Sequence, residues 1–233
     1  MVLIILLSDN METKKQNMPE KGAAVQRDME TYAIIPYIPG GLLDPATLRK
    51  IADVAEKYQV KIIKMNSEHR IGLYGINEED IESIFDDLGM EPGGFIGKCV
   101  RAVKFCTGNT SCKKGYQNTV KMGLRIDETF HKIKTPHKVK ISLSGCTSSC
   151  AESNVRDIGL IGTPKGWKIL VGGTCGLQTK KGQLLDKDLS DDQVINYISK
   201  ILDYYKEMGI EKRMGAFIDK IGFEKFSQDV LDK

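Results

Sequence analysis

Residues 137–153 read HKVKISLSGCTSSCAES, and the fold of the chain turns on how this stretch is taken. Polar and apolar residues alternate from Lys138 to Leu143, which is the period of a strand. Val139, Ile141 and Leu143 are expected to face a core, and Lys138, Lys140 and Ser142 to face the other way. Cys146 and Cys150 follow directly, three residues apart. The stretch predicts a strand with one apolar and one cationic face that delivers a pair of thiols at its end.

Working outward, further strands flank it on both sides, with no repeat within the chain. Upstream, a strand at 100–105 (VRAVKF) runs into the loop CTGNTSC, which carries Cys106 and Cys112, and then into a helix through 117–123. Downstream, DIGLIG and WKILVGG read as two strands joined by a turn at 163–166. Ser190 with Gln193 forms a capping box for a helix to about position 206, and shorter amphipathic helices follow Gly209 and Gly222. The Pro/Gly stretch EPGGF at 91–95 is a boundary.

Before it, YAIIPYI from Tyr32 is a strand followed by a Gly-Gly turn and a helix with Asp44 as N-cap, Pro45 at its first position and an apolar stripe of Leu48, Ile51, Ala52 and Ala55. Strands at 60–65 and near RIGLYGI come next, then a helix capped by Asn77 that carries Ile81, Ile84, Phe85 and Leu88 and stops at Gly89. This is a βαββα unit. The expected organisation is a flexible N-terminal segment over 1–30, the βαββα unit over 31–90, and a second unit over 91–233 with helices at its end.

The chain has 233 residues, enough for a sizeable core. Its 34 basic and 31 acidic residues leave a net charge of +3, which gives no reason to expect a nucleic-acid partner. Any cationic function must be local. The start MVLIILLSDN lacks a basic leader and a small-residue cleavage site, so it does not read as a signal peptide, and Met11 is a second candidate start. No apolar run approaches the roughly 20 residues that cross a bilayer. The expectation is a cytoplasmic protein with no membrane partner.

Without an export signal, the six cysteines point to metal or catalysis rather than a disulfide framework. Four thiolates at 106, 112, 146 and 150 suit zinc or an iron-sulfur cluster. The five-residue gap in the first pair is wider than the usual zinc knuckle and differs from common ferredoxin spacings, which favours a cluster and leaves zinc open. Cys99 and Cys175 are expected to be buried small apolar groups. Nothing in the spacing of His69, His131 and His137 pairs them as ligands, and Trp167 reads as core.

CTGNTSCKKGYQNTV, KVKISLSGCTSSCAE and DIGLIGTPKGWKILVGG together resemble the siroheme and 4Fe-4S region of the sulfite and nitrite reductase family. ETYAIIPYIPGGLL through SEHRIGLYGI is similar to the family's ferredoxin-like half-domain, and EKRMGAFIDKIGFE to its C-terminal helix. The resemblance covers most of residues 22–225 and implies an α+β fold: the half-domain, then the siroheme- and 4Fe-4S-binding α/β domain. With one copy of each unit, the chain resembles the small single-repeat, assimilatory-type siroheme sulfite reductases.

The resemblance further implies that Cys106, Cys112, Cys146 and Cys150 hold a 4Fe-4S cluster, with Cys150 also ligating siroheme iron. It places Lys113, Lys114 and Gln117 at the cofactors, and Lys138, Lys140, Arg101 and Arg70 around a small oxyanion. Two departures stand out: Thr147, Ser148 and Ser149 replace the usual Pro and Asn of the second cysteine loop, and Lys113 and Lys114 stand where an arginine is common. The implied activity is six-electron reduction of sulfite to sulfide, with nitrite to ammonia as the alternative. A second alternative, of another class, is a non-enzymatic electron carrier or tetrapyrrole-handling protein. With no flavin or nicotinamide fingerprint, an external donor such as a ferredoxin is implied. The open edges of a lone half-domain sheet imply a homodimer or larger homo-oligomer.

Overall fold

A computed structural model describes residues 15–232; the apolar start and the alternative start at Met11 lie outside the described residues. The chain adopts the expected α+β class, as two sheets each with its own hydrophobic core.

The first sheet is antiparallel throughout, in the order β1-β2-β4-β3. β2 (Tyr32–Ile34) and β4 (Ile71–Ile76) form its centre. α1 (Pro45–Lys57) and α2 (Ile81–Leu88) pack with them around Ile34, Leu73, Ile81 and Ile84, all fully buried. The Asp44 side chain accepts from Thr47 N at 2.8 Å and Pro45 opens α1, as its residue types require. The buried stripe of α1 is Ile51, Val54 and Ala55, whereas Leu48 and Ala52 are exposed. Ala52 sits about 100° round the helix from Ile51 and so misses the sheet. α2 is preceded by a 3-10 turn over Glu78–Asp80, and Asn77 gives its amide to Asp80 rather than capping the backbone. Gly89, at φ +61°, closes α2.

Two features depart from the βαββα reading. β1 (Ala23–Val25), from the segment read as flexible, adds a strand beside β2. β3 (Ile62–Met65) is an edge strand with all four side chains exposed.

The second sheet runs β5-β6-β7-β8-β9. β5 (Lys104–Phe105), β6 (Ile141–Ser144) and β7 (Ile158–Thr163) are parallel neighbours. β8 (Gly166–Val171) and β9 (Gln183–Leu189) continue antiparallel. α3 (Thr119–Phe130) crosses between β5 and β6. α4 (Asp191–Met208) carries the expected capping box and packs with α5 (Met214–Ile221) and α6 (Phe223–Leu231) around Tyr204, Phe217 and Phe226. Trp167 is 1% exposed and donates to Asp191, in keeping with its reading as core.

The opening stretch needs one correction. Ser142 and Ser144 are as buried as Ile141 and Leu143, because a parallel strand inside a sheet is covered on both faces. Their hydroxyls pair with the Ser153 hydroxyl at 3.3 and 2.9 Å. The cationic side survives only at Lys138 and Lys140, just ahead of the strand. β9 escapes a period-2 reading because its pairing shifts register twice and Asp188 sits at φ +58°. Cys175 is exposed, not buried, on the loop between β8 and β9. No helix among the described residues is long and apolar enough to cross a membrane.

Candidate active site

Both cysteine loops leave the carboxyl ends of adjacent parallel strands, where α/β sheets present ligand sites. Cys106 follows β5, and its N–H donates to Leu143 O. Cys146 and Cys150 lie in the loop after β6. The loops are tied directly: Gly145 N donates to Cys106 Sγ at 3.2 Å and Tyr116 N to Gly145 O at 2.8 Å. A Cβ on Gly145 would stand 2.7 Å from Gly108 Cα, so the loops pass this closely only because position 145 is glycine.

Cys106, Cys112, Cys146 and Cys150 all line one cavity of about 620 Å³, together with Gly40, Gly41, Met65, Asn66 and His69. Hydrogen bonds from the Ser148 backbone and hydroxyl hold the Cys146 thiol below its ordinary pKa. Among the described residues, no three His, Cys, Asp or Glu side chains close on a point as ligands of a single ion would. Four soft thiols lining one cavity of this size fit a multi-iron cluster and a large ligand beside it. His69, which sequence spacing gave no reason to single out, lines this cavity; burial first, and then the Lys104 charge, push its imidazole pKa down.

A second cavity of about 210 Å³ is lined by Arg70, Arg101, Lys138 and Lys140 with Ile35, Asn66, Glu68 and Phe95. Asn66 lines both cavities, so they adjoin at the turn between β3 and β4. Arg70 and Arg101 are buried, and burial pushes both guanidinium pKa values down. Arg70 Nη2 donates to Ala102 O at 2.8 Å while its Nε has no partner among the described residues. Arg101 donates to Gly94 O and Gly97 O, each at 2.8 Å. Burial, followed by the charges of Arg213, Lys140 and Arg101, lowers the Lys138 ammonium pKa.

Lys113 and Lys114 line a separate recess of about 290 Å³ on the other side of Cys146, with Tyr116, Thr147 and Ser148. The Gln117 amide donates to Thr163 O at 2.7 Å, which commits it to the sheet. Of the other histidines, His131 stacks on Tyr37 with ring centroids 4.4 Å apart, and His137 lines neither cavity.

The sequence reading missed the charges behind the cationic cavity. Glu68 accepts from Lys140 Nζ at 3.0 Å and Arg156 Nη1 at 2.8 Å. Arg156 also pairs with Glu152, which Lys104 reaches at 3.1 Å. Burial works against ionisation of Glu68, yet Arg156 and Lys140 outweigh it and hold its carboxyl down at about 2. Asp157, fully buried, takes a bidentate pair from Arg213 at 3.0 and 3.1 Å and the Lys140 N–H at 2.9 Å. Glu68, Lys140 and Arg213 come from distant parts of the chain, and Glu152, Arg156 and Asp157 share the loop after β6 without forming a motif, so no local signal announces their meeting.

Comparison with known proteins gives the geometry its context. Residues 24–90 match the family model described as the nitrite/sulfite reductase ferredoxin-like half domain, and 96–233 match that of the nitrite and sulphite reductase 4Fe-4S domain. An assimilatory-type sulfite reductase of Nitratidesulfovibrio vulgaris (strain Hildenborough) is 39% identical over 212 residues, covering 91% of this chain and 97% of that one. An NAD(P)H nitrite reductase of Bacillus subtilis (strain 168) is 37% identical over 211 residues; the match takes in 90% of this chain and 26% of that much longer one. The crystal structure of a dissimilatory sulfite reductase I superposes with a TM-score of 0.77 at 17% identity, over 86% of this chain and 69% of that one.

Proposed function

The chain belongs to the nitrite and sulfite reductase family, and from that premise we propose that it reduces sulfite to sulfide with six electrons from an external donor. One observation carries this reading: four thiols and four cations line two cavities that adjoin at Asn66. Glu68 offsets only part of the charge of Arg70, Arg101, Lys138 and Lys140 in that small cavity, and the remaining positive charge suits an anion, for which a protein that only carries electrons has no use.

Cys106, Cys112, Cys146 and Cys150 are the proposed ligands of a 4Fe-4S cluster, with Cys150 shared with siroheme. Lys113 and Lys114 are proposed to meet carboxylates of the macrocycle, while Gln117 braces the first cysteine loop through Thr163. When bound, the cluster and siroheme would pass on the donor's electrons and supply the iron at which the oxyanion is reduced. The protein supplies the rest. Arg70 and Arg101, fixed by backbone carbonyls, set a rigid positive wall. Lys138 and Lys140 add ammonium groups that bind the anion and hold protons at Nζ near the oxygens that leave as water.

The proposed partners are a small oxyanion and an acidic one-electron donor such as a ferredoxin, and the proposed compartment is the cytoplasm, where thiols stay reduced. A second copy of the chain is proposed to cover the exposed β3 edge. Ile62, Ile63 and Met65 there are 57%, 49% and 72% exposed, on a strand with unpaired backbone groups.

The test is anaerobic purification followed by measurement of iron, acid-labile sulfide, extracted tetrapyrrole and the visible spectrum. Reduction of sulfite and of nitrite by a reduced viologen is then compared. One cluster and one siroheme per chain with sulfide as product is the expected result, and Cys150→Ser should remove both signals. Zinc without a chromophore would overturn the reading, and ammonia from nitrite in preference to sulfide from sulfite would move it to the nitrite alternative.

A further inference from the structure

The two lysines of the strand are alike in sequence and unlike in their surroundings. Lys140 Nζ lies 3.0 Å from Glu68 Oε1, and the same oxygen receives Arg156 Nη1 at 2.8 Å. The run of alternating charge goes on through Glu152 to Lys104, whose side chain is 5% exposed. Lys140 is therefore the outer end of a five-member chain, Lys140–Glu68–Arg156–Glu152–Lys104. Lys138 lines the same cavity and has no ion-pair or hydrogen-bond partner among the described residues. Asp157, the carboxylate whose charge acts on Lys138, is taken up by the bidentate Arg213 and by the Lys140 N–H.

Glu68 stands where it does because of a local turn. Asn66 Oδ1 accepts from the N–H groups of Glu68 at 2.9 Å and Arg70 at 3.2 Å, and Asn66 N donates to Arg70 O at 2.9 Å. His69 closes the turn at φ +59°. Glu68 and Arg70, two residues apart, thus enter one cavity with opposite charges. A carboxylate in a pocket meant for an anion is unfavourable unless it has a task, and among the described residues its ion-pair partners are Lys140 and Arg156.

We propose that Glu68 is a positioning residue that divides the work of the two lysines: it holds Lys140 against the cavity wall and leaves Lys138 as the strand's cation for the oxyanion. This rests on the proposed oxyanion role of the cavity and goes beyond it, since that role alone treats the lysines as equivalents. Held by Glu68, Lys140 spends its charge within the protein. Lys138 has no carboxylate to leave before it meets an anion, and the positive neighbours Arg101, Lys140 and Arg213 make an arriving anion its most favourable partner.

The test uses the full-length holoprotein and four variants: Lys138→Ala, Lys140→Ala, Glu68→Gln, and the double variant Lys138→Ala with Glu68→Gln. Sulfite affinity is read from the visible spectrum and, separately, kcat and KM are measured with reduced viologen. Lys138→Ala is expected to weaken sulfite binding by about tenfold or more, and Lys140→Ala by less than about threefold. Glu68→Gln frees Lys140, so the double variant should regain at least about threefold of what Lys138→Ala loses. A purely structural role for Glu68 predicts a further loss instead. Equal losses for the two lysines with no recovery in the double variant would overturn the division of labour and leave the cavity assignment standing. Unchanged sulfite affinity in both lysine variants would overturn the cavity assignment itself.

An independent reading needs no variant to fold. Trace labelling of the wild-type protein with an amine reagent, resolved by peptide mass spectrometry, should modify Lys138 faster than Lys140. Faster labelling of Lys140 would contradict the proposal.

Discussion

Replacing Arg213 with Met isolates the buried ion pair that supports the lysine strand. Asp157 is fully buried, and its two oxygens take Arg213 Nε at 3.0 Å, Arg213 Nη2 at 3.1 Å and the Lys140 N–H at 2.9 Å. In Arg213→Met the carboxylate keeps one backbone donor and loses its counter-charge. Removing one partner of a buried pair costs about 3–5 kcal/mol. The sign of the pH dependence follows from the direction of the shift. Burial pushes the Asp157 carboxyl pKa up, opposed by Arg213 and the Lys140 N–H, and loss of Arg213 raises it further. An acid with a folded pKa above its unfolded one binds its proton first in the folded state, so stability falls as pH rises between the two values.

Urea denaturation followed by circular dichroism at pH 5.5 and 8 should therefore show a larger deficit for the variant at the higher pH. The double variant Asp157→Asn with Arg213→Met should recover much of it, because no buried charge is then left alone. A deficit under about 1 kcal/mol at pH 8, or one equal at pH 5.5 and pH 8, would refute the argument.

Ser190→Ala removes the hydroxyl half of the capping box on α4 and should cost about 1 kcal/mol in denaturation experiments, with the visible spectrum unchanged. Gly123→Ala would put a Cβ 2.2 Å from the Phe105 ring; overpacking of about 1–3 kcal/mol should outweigh the helix-propensity gain of about 1 kcal/mol, and a lowered thermal midpoint would show it. Because Phe105 precedes Cys106, the same variant should also bind less iron. Ile63→Lys places a charge on the β3 edge and should yield monomers by light scattering if that edge is the proposed contact, whereas an unchanged oligomer would exclude it.

Much of this protein is written in short stretches of its sequence. Asp44 and Pro45 start α1, Ser190 and Gln193 start α4, and Gly89 ends α2, because capping chemistry acts within one helical turn. The strands at β4, β7 and β8 follow from runs of apolar residues between turn signals. The four cysteines were legible as a set because each pair sits in a loop directly after a strand, and the structure brings all four to one cavity. Arg70, Arg101, Lys138 and Lys140 are legible through a likeness of motifs, and they too share a cavity.

The tertiary structure decided what those charges do. Lys140 and Glu68 are 72 positions apart and Arg156 and Glu68 are 88, so their pairing depends on how two sheets are placed, which no local period encodes. The burial of Ser142 and Ser144 was settled the same way, by the strands and the Ser153 turn that cover the second face of β6. β9 and β1 are held by partners rather than by their own alternation: β9 follows β8 through two register shifts, and β1 is three residues beside β2. Sequence alone determines elements whose favourable contacts lie within a few residues of one another. Which lysine is tied and which is free rests on distances through space, because a carboxylate neutralises the cation it touches, wherever in the chain that cation lies.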